Sequence, residues 1–191
     1  MKIKTFAEYS QELAVNEVGE ASLKGFSYSK ILDELKEYYL DFKKDKITKE
    51  ELIQNIPNQS QVNYRFKTDK GTYICNFTFN YSLISMKNAI QKFGKDSLIF
   101  DFSFTDEKET IDTVLNRGEM FRIMSTVTTI IKEFLEDYPY AIVDYYAVDG
   151  DPRRYNMYKQ YVEKQVGKDY EYTEMKILGE LTLFIQNKKY K

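Results

Sequence analysis

Arginines beside two predicted helix starts are the side chains best suited to binding an anion. Arg117 and Arg122 border a helix start at Gly118, and Arg153 and Arg154 lie in the first turn of a later helix. A helix dipole disfavours positive charge at the N-terminus. The arginines there therefore have two interpretations. They could bind an anion, such as phosphate or the carboxylates of a partner, or they could be a solvated surface pair. If the two helix starts face each other, the four arginines could line one pocket.

The absence of histidine restricts the catalytic chemistry that is open to this chain. The 191 residues contain no histidine and one cysteine, Cys75. Nucleophilic triads that depend on histidine and zinc sites built on histidine or cysteine are excluded. Acid–base chemistry is left to Tyr, Asp, Glu, Lys, the Cys75 thiol or water. Cys75 alternates with Tyr73 and Phe77, which favours a core position. Asp149 and Asp151 are more typical of a turn and a helix cap, so we predict no metal site.

Composition and charge narrow the class of protein. Hydrophobic residues make up 42% of the chain, with 13 Phe and 17 Tyr, which is enough for a core. The net charge of -2 disfavours a globally basic nucleic-acid binder, although tyrosine stacking and arginine clusters leave that alternative open. No segment has the apolar length of a signal region or a membrane helix, so we expect a cytoplasmic protein with no membrane partner. The length predicts one domain over 1–191.

The first third of the chain has mainly helical patterning. We predict helices over 4–15 and 28–44, separated by a loop or irregular strand at 16–27. Thr48 and Glu51 have the spacing of a capping box, which predicts a short helix to about residue 56. Residues 1–60 are therefore expected to be mostly helical.

The rest of the chain changes between strand and helix periodicity. Apolar residues alternate in three segments, which predicts an antiparallel meander over 62–68, 72–79 and 98–104. A helix, a nearly continuous apolar strand, a second helix that stops at Gly167 and a hairpin follow, at 116–139, 141–148, 152–166, 169–174 and 177–186. We predict that 98–104 and 141–148 pair in parallel, with helix 118–137 as their crossover. We also predict that one continuous core contains Phe100, Phe102, Phe104, Phe121, Ile131, Ile142 and Tyr158.

This order of elements resembles the GNAT acetyltransferase superfamily over 62–187. The resemblance implies an α+β fold with a GNAT-like mixed sheet: antiparallel meander, crossover helix, buried parallel strand, helix and terminal hairpin, with extra N-terminal helices. In that family the two parallel strands splay apart and acyl-CoA enters between them. Three stretches further resemble uncharacterised GNAT-like proteins of tailed bacteriophages: NEVGEAS at 16–22, RGEMFRIM at 117–124 and RYNMY at 154–158.

The resemblance implies roles for particular residues. Met157-Tyr158 stands where many family members have Leu-Tyr, so Tyr158 would protonate the leaving thiolate; the alternative is a core aromatic residue. Asp101 or Asp144 could take the amine proton through water. The residues implied for CoA binding are Arg117, Gly118, Arg122, Arg153 and Arg154. The family's phosphate signature, Gln/Arg-x-x-Gly-x-Gly/Ala, is broken here, because Leu115 and Met120 replace its first and last residues.

Two functions are therefore expected from the sequence. The first is a phage-encoded, non-catalytic GNAT-like accessory or structural protein that binds a protein partner and no cofactor. Its cleft would be filled by Met120 and tyrosines, and it would lie in the host cytoplasm or be associated with the virion. The alternative is an N-acyltransferase that uses acetyl-CoA or another acyl-CoA.

Overall fold

A computed structural model describes residues 25–80, 91–93, 97–106, 120–146, 152–177 and 179–190. The helix predicted at 4–15 lies outside these ranges. The elements, in chain order, are β1 (Tyr28–Asp33), α1 (Lys36–Lys43), α2 (Lys49–Asn55), β2 (Gln61–Lys67), β3 (Thr72–Phe79), β4 (Leu98–Asp106), α3 (Met120–Asp137), β5 (Ala141–Tyr146), α4 (Pro152–Val166), β6 (Tyr170–Ile177) and β7 (Glu180–Asn187), followed by a 3-10 turn at Lys188–Tyr190. No helix in the described ranges has the length and apolar character needed to cross a membrane.

The strands form one mixed seven-stranded sheet in the order β1-β2-β3-β4-β5-β7-β6. β4 and β5 pair in parallel, and the other neighbouring strands pair antiparallel. The predicted meander and the predicted parallel pair are therefore confirmed, with α3 as the connection between β4 and β5. The chain has the mixed α+β character that its alternating periodicities predict.

The prediction of a helix over 28–44 is wrong for its N-terminal part. Residues 28–33 form the edge strand β1, which pairs antiparallel with β2 so that Tyr28 lies opposite Phe66. Ile31 and Leu32, which a helix over 28–44 would place on its apolar face, are 45% and 39% exposed. The free edge of β2 offers backbone hydrogen bonds to this segment, and that tertiary pairing overrides the helical spacing. Only Lys36–Lys43 is helical.

The two N-terminal helices belong to the main fold rather than standing apart from it. Leu35, at the N-cap of α1, and Tyr39 in its middle are buried in the main core, as is Leu52 of α2. The predicted capping box of α2 is confirmed: Thr48 Oγ1 accepts a hydrogen bond from Glu51 N at 3.2 Å, and Glu51 Oε2 accepts one from Thr48 N at 2.8 Å. These bonds satisfy two backbone donors that a helix start leaves without partners.

The main core lies between one face of the sheet and the helices. At its centre the ring of Phe134 from α3 stacks on Phe77 of β3, with 3.9 Å between ring centroids. Phe134 also meets Phe100 of β4 edge-to-face at 5.2 Å. Through Phe134, α3 therefore packs on both β3 and β4 at the centre of the sheet.

The prediction of one continuous core is wrong, because the sheet divides the apolar residues between its two faces. Phe100, Phe102 and Ile131 belong to the main core, and Phe104 packs against it while partly buried. Ile142 instead lies on the opposite face, in a small cluster with Ile99 and Phe184. The side chain of Phe121 lies outside the described residues. β5 is buried on both faces, so neighbouring apolar residues in it serve different cores.

The C-terminal helix and hairpin follow the predicted order with shifted boundaries. Gly167 follows α4 with φ +104, the left-handed conformation that ends many helices. β6 runs to Ile177 and β7 begins at Glu180, so the hairpin turn lies a few residues later than the sequence suggested. α4 packs against the main core through Tyr155, Val162 and Val166.

Candidate functional site

The parallel pairing of β4 and β5 ends in the middle of both strands. Their register runs from Leu98 opposite Ala141 to Asp101 opposite Asp144. Beyond that pair, β4 stays paired with β3 as far as Asp106, while β5 stays paired with β7 to its end at Tyr146. Within the described residues, no β4–β5 pairing continues past the two aspartates. Beyond this point each strand is paired only with its outer neighbour, and we call the place where the β4–β5 pairing ends the gap.

Two carboxyl groups stand at the start of this gap on the sheet face opposite the main core. Asp101 and Asp144 are direct cross-strand neighbours, so their carboxyl groups lie close enough to interact, and the backbone amide of Phe102 also acts on the Asp144 carboxyl. The side-chain amide nitrogen of Asn80, just after β3, donates to Asp101 Oδ2. Asp144 is 7% exposed. Burial and the charge of Asp101 raise the pKa of the Asp144 carboxyl well above its usual range.

Aromatic rings occupy the other side of the gap. The ring of Tyr145, one residue past the end of the ladder, lies 6.0 Å from the ring of Phe102 on β4. It also meets the ring of Tyr158 on α4 in a T-shaped contact at 5.9 Å. Tyr158 is 8% exposed and Phe102 is 3% exposed. The three rings connect β4 and β5 to α4 beside the end of the pairing.

The structure describes some of the predicted site residues in full, some only in their backbone and some not at all. Tyr158 lies beside the gap, as just described. Arg122 lies in the first turn of α3, where its guanidinium carbon is 4.0 Å from the ring centroid of Phe26. Arg117 and Gly118 lie outside the described residues. For Arg153 and Arg154 the helix backbone is described but the side chains are not, and the side chain of Met120 is likewise outside. The predicted convergence of the arginines stays a prediction.

A close backbone contact holds the segment before β1 against the start of α3. The backbone N–H of Phe26 donates to Thr126 Oγ1 at 2.7 Å. A Cβ at Gly25 would lie 2.9 Å from the same oxygen and 3.2 Å from the Thr126 backbone nitrogen. Only glycine allows this approach without displacement of the helix. The ring on which Arg122 stacks is thereby fixed in place.

A second polar cluster, which the sequence did not reveal, joins β1 to the C-terminal end of α3. Lys30 Nζ lies 2.8 Å from Asp137 Oδ2 and 3.2 Å from Asp33 Oδ2. The hydroxyl of Tyr138 donates to the same Asp33 oxygen at 2.5 Å. Burial lowers the pKa of Lys30, but the hydrogen bonds and charges of the two aspartates outweigh it and leave this pKa raised. The alternation of Tyr28 and Lys30 was the available signal, but partners more than 100 residues away were not visible.

A shallow groove of about 490 Å³ lies at the edge of the sheet between β1 and β2, away from the gap. Ser27, Ser29, Arg65, Lys67 and Thr72 contribute to its lining. Its lining includes neither Asp101 and Asp144 nor Tyr145 and Tyr158.

The described residues contain no group of three Asp, Glu, Cys or His side chains that could hold a metal ion. The Asp149–Asp151 turn lies outside these residues. Comparisons with known family models, with curated proteins and with solved structures find no match to this chain.

Proposed function

We propose that this chain is a non-catalytic, GNAT-like protein with an accessory or structural role, in which side chains close the gap where acyl-CoA would enter. The parallel pairing of β4 with β5 and the crossover by α3 support the likeness in fold. The resemblance of 117–124 and 154–158 to phage proteins supports a role in a phage-infected cell or in its particle. A protein surface, rather than a substrate, would then be the ligand.

The contacts of Phe102 carry the proposal. An acyl-CoA thioester placed between splayed strands needs a backbone N–H to polarise its carbonyl, together with space for the pantetheine chain. Here the backbone amide of Phe102 acts on the Asp144 carboxyl, where it favours the ionised form. The Tyr145 ring lies between Phe102 and Tyr158, where a ligand chain would have to pass. Binding would require displacement of the partly buried Tyr145 ring from its contacts with Phe102 and Tyr158, which disfavours an open cofactor site.

Thermal unfolding with acetyl-CoA tests the proposal. A ligand that binds only the native state at 100 times its Kd stabilises it by about 2.7 kcal/mol. For a chain of this size that raises Tm by about 5–11 °C. We expect no shift with 1 mM acetyl-CoA. A concentration-dependent rise that Gly118→Trp abolishes, and that the surface change Lys188→Ala leaves intact, would contradict the closed gap.

The acyl-CoA-dependent N-acyltransferase remains a second candidate because of one observation. Asp101 and Asp144 stand where the ladder ends, on the sheet face opposite Tyr158, so acid and base groups flank the gap on both sides. In this alternative an aspartate takes the proton of an attacking amine through water and Tyr158 protonates the thiolate. Release of free thiol from acetyl-CoA in the presence of amines or peptides would support it. Loss of that activity in Tyr158→Phe would assign the acid.

A further inference from the structure

We propose that Asp101 and Asp144 hold one proton between them and that this proton keeps β4 and β5 paired up to the start of the gap. The pair would be a buried proton-binding site that acts as a pH-sensitive latch. This inference does not depend on acyl-CoA binding, because it concerns the closed end of the ladder. It applies equally to an accessory protein and to an enzyme.

Two neighbouring buried carboxyl groups can form a hydrogen bond to each other only if one of them carries a proton. An ionised carboxylate only accepts hydrogen bonds, so two ionised groups cannot bond to each other. The strand register places Asp101 and Asp144 directly side by side, and Asp144 is almost fully buried. Among the described residues, Asp144 Oδ1 has no hydrogen-bond partner that could stabilise a second negative charge. One shared proton removes most of the repulsion.

The surroundings offer no compensating cation in the part of the chain that the structure describes. Thr78 of β3 lies opposite Asp101, and Phe184 of β7 lies opposite Asp144. Phe93, on a helical turn at 91–93, covers Phe184 with ring centroids 5.3 Å apart, while Lys92 on the same turn is exposed. Asp101 is the one described charged group that acts on Asp144, and its effect on the pKa of that carboxyl is to raise it.

The sign of the pH effect follows from the shared proton. The folded protein holds this proton more tightly than the unfolded chain, where an aspartate has a pKa of about 3.9. The stabilisation is complete below that pH and is lost as pH rises through the apparent pKa of the pair. We compare the unfolding constant of the wild type with that of a variant that lacks this proton. Because one proton is involved, their ratio should rise by at most about tenfold per pH unit as the pair ionises. Above that apparent pKa, two adjacent negative charges weaken the last strand pair.

Carbon NMR of the aspartate carboxyls, recorded from pH 3 to 9, tests the proton directly. We expect one aspartate of the wild type to titrate well above the ordinary range of about 3.5–4, and its signal to be missing from Asp144→Asn. Asparagine does not titrate, but its amide can donate to Asp101 as the protonated acid does. If every aspartate of the wild type titrates in the ordinary range, the proposal is wrong. This measurement decides the matter even if the variant does not fold.

Urea unfolding over the same pH range tests the effect on stability. The ratio of unfolding constants, wild type over Asp144→Asn, should increase with pH, while the exposed Asp169→Asn control should follow the wild type. Superimposable profiles for wild type and Asp144→Asn would overturn the proposal. So would a rise in Tm with 5 mM Ca²⁺ or Mg²⁺ that Asp144→Asn abolishes, because the pair would then bind a cation instead of a proton.

Amide exchange separates the latch from the proton itself. After correction for the intrinsic effect of pH, exchange in peptides that cover β4 and β5 should accelerate as the pair ionises in the wild type. It should stay constant in Asp144→Asn. If the pair titrates as expected but exchange in these strands does not change, the proton does not control the pairing and the latch is refuted.

Discussion

Replacement of Phe102 by alanine tests how much the aromatic rings beside the gap contribute to the free energy of unfolding. Phe102 is 3% exposed, and its ring lies 5.1 Å from Phe77 and 6.0 Å from Tyr145. An aromatic side chain buries at least about 150 Å², which at about 25 cal/mol per Å² is worth about 4 kcal/mol. The residual cavity adds to this and partial collapse subtracts from it. We therefore expect a loss of about 3–5 kcal/mol in the free energy of unfolding.

Urea denaturation followed by circular dichroism measures this loss. The variant should unfold at lower urea with an unchanged m-value, and its Tm should fall by about 6–20 °C, since 1 kcal/mol corresponds to about 2–4 °C at this size. Phe102→Leu, which keeps most of the volume, should lose less than about 1.5 kcal/mol. The exposed neighbour Ser103→Ala should change stability by less than about 0.5 kcal/mol. A loss below about 1 kcal/mol for Phe102→Ala, with an unchanged m-value, would refute the burial of this ring.

Two further predictions concern the helix cap and the thiol. Thr48→Ala removes one side of the capping box with Glu51 and should cost about 1 kcal/mol in urea denaturation; Thr48→Asn, which can still cap, should retain most of the stability, and equal losses in both would argue against the cap. Burial raises the pKa of the Cys75 thiol, so an aromatic disulfide reagent at pH 8 should label it fully in 6 M guanidinium but not in the native protein. Rapid labelling of the native state would place this thiol at the surface.

Local patterns predicted most of the strands and helices of the described chain. The alternation of Tyr64 and Phe66 with polar residues reports a half-buried strand because side chains of a strand point to opposite faces in turn. Thr48 and Glu51 report a helix start because their side chains bond the first free N–H groups. Gly167 reports a helix end because it adopts positive φ without steric cost. Each signal is complete within a few residues.

Residues 28–33 show where local patterns fail. Their apolar spacing suits a helix, but the open edge of β2 and the partners of Lys30 on α3 stabilise a strand instead. Asp137 lies 107 residues further along the chain, so no short window of sequence contains the interaction. The same limit explains why Ile142 was assigned to the wrong core. Its neighbours Ile99 and Phe184 are set by strand order, which the spacing of apolar residues does not reveal.

By itself, the sequence determined the chemical inventory and the local elements of this protein. It has no histidine, one cysteine in an apolar strand, and aspartates in two strands predicted to pair in parallel. Only the tertiary structure decided that Asp101 and Asp144 are the last residues of that pairing and that the Asp144 carboxyl is buried beside Asp101. Residue type and periodicity act over a few positions, whereas strand register depends on the packing of the whole sheet. A shift of one of the two strands by one residue would turn its carboxyl group to the opposite face and separate the pair.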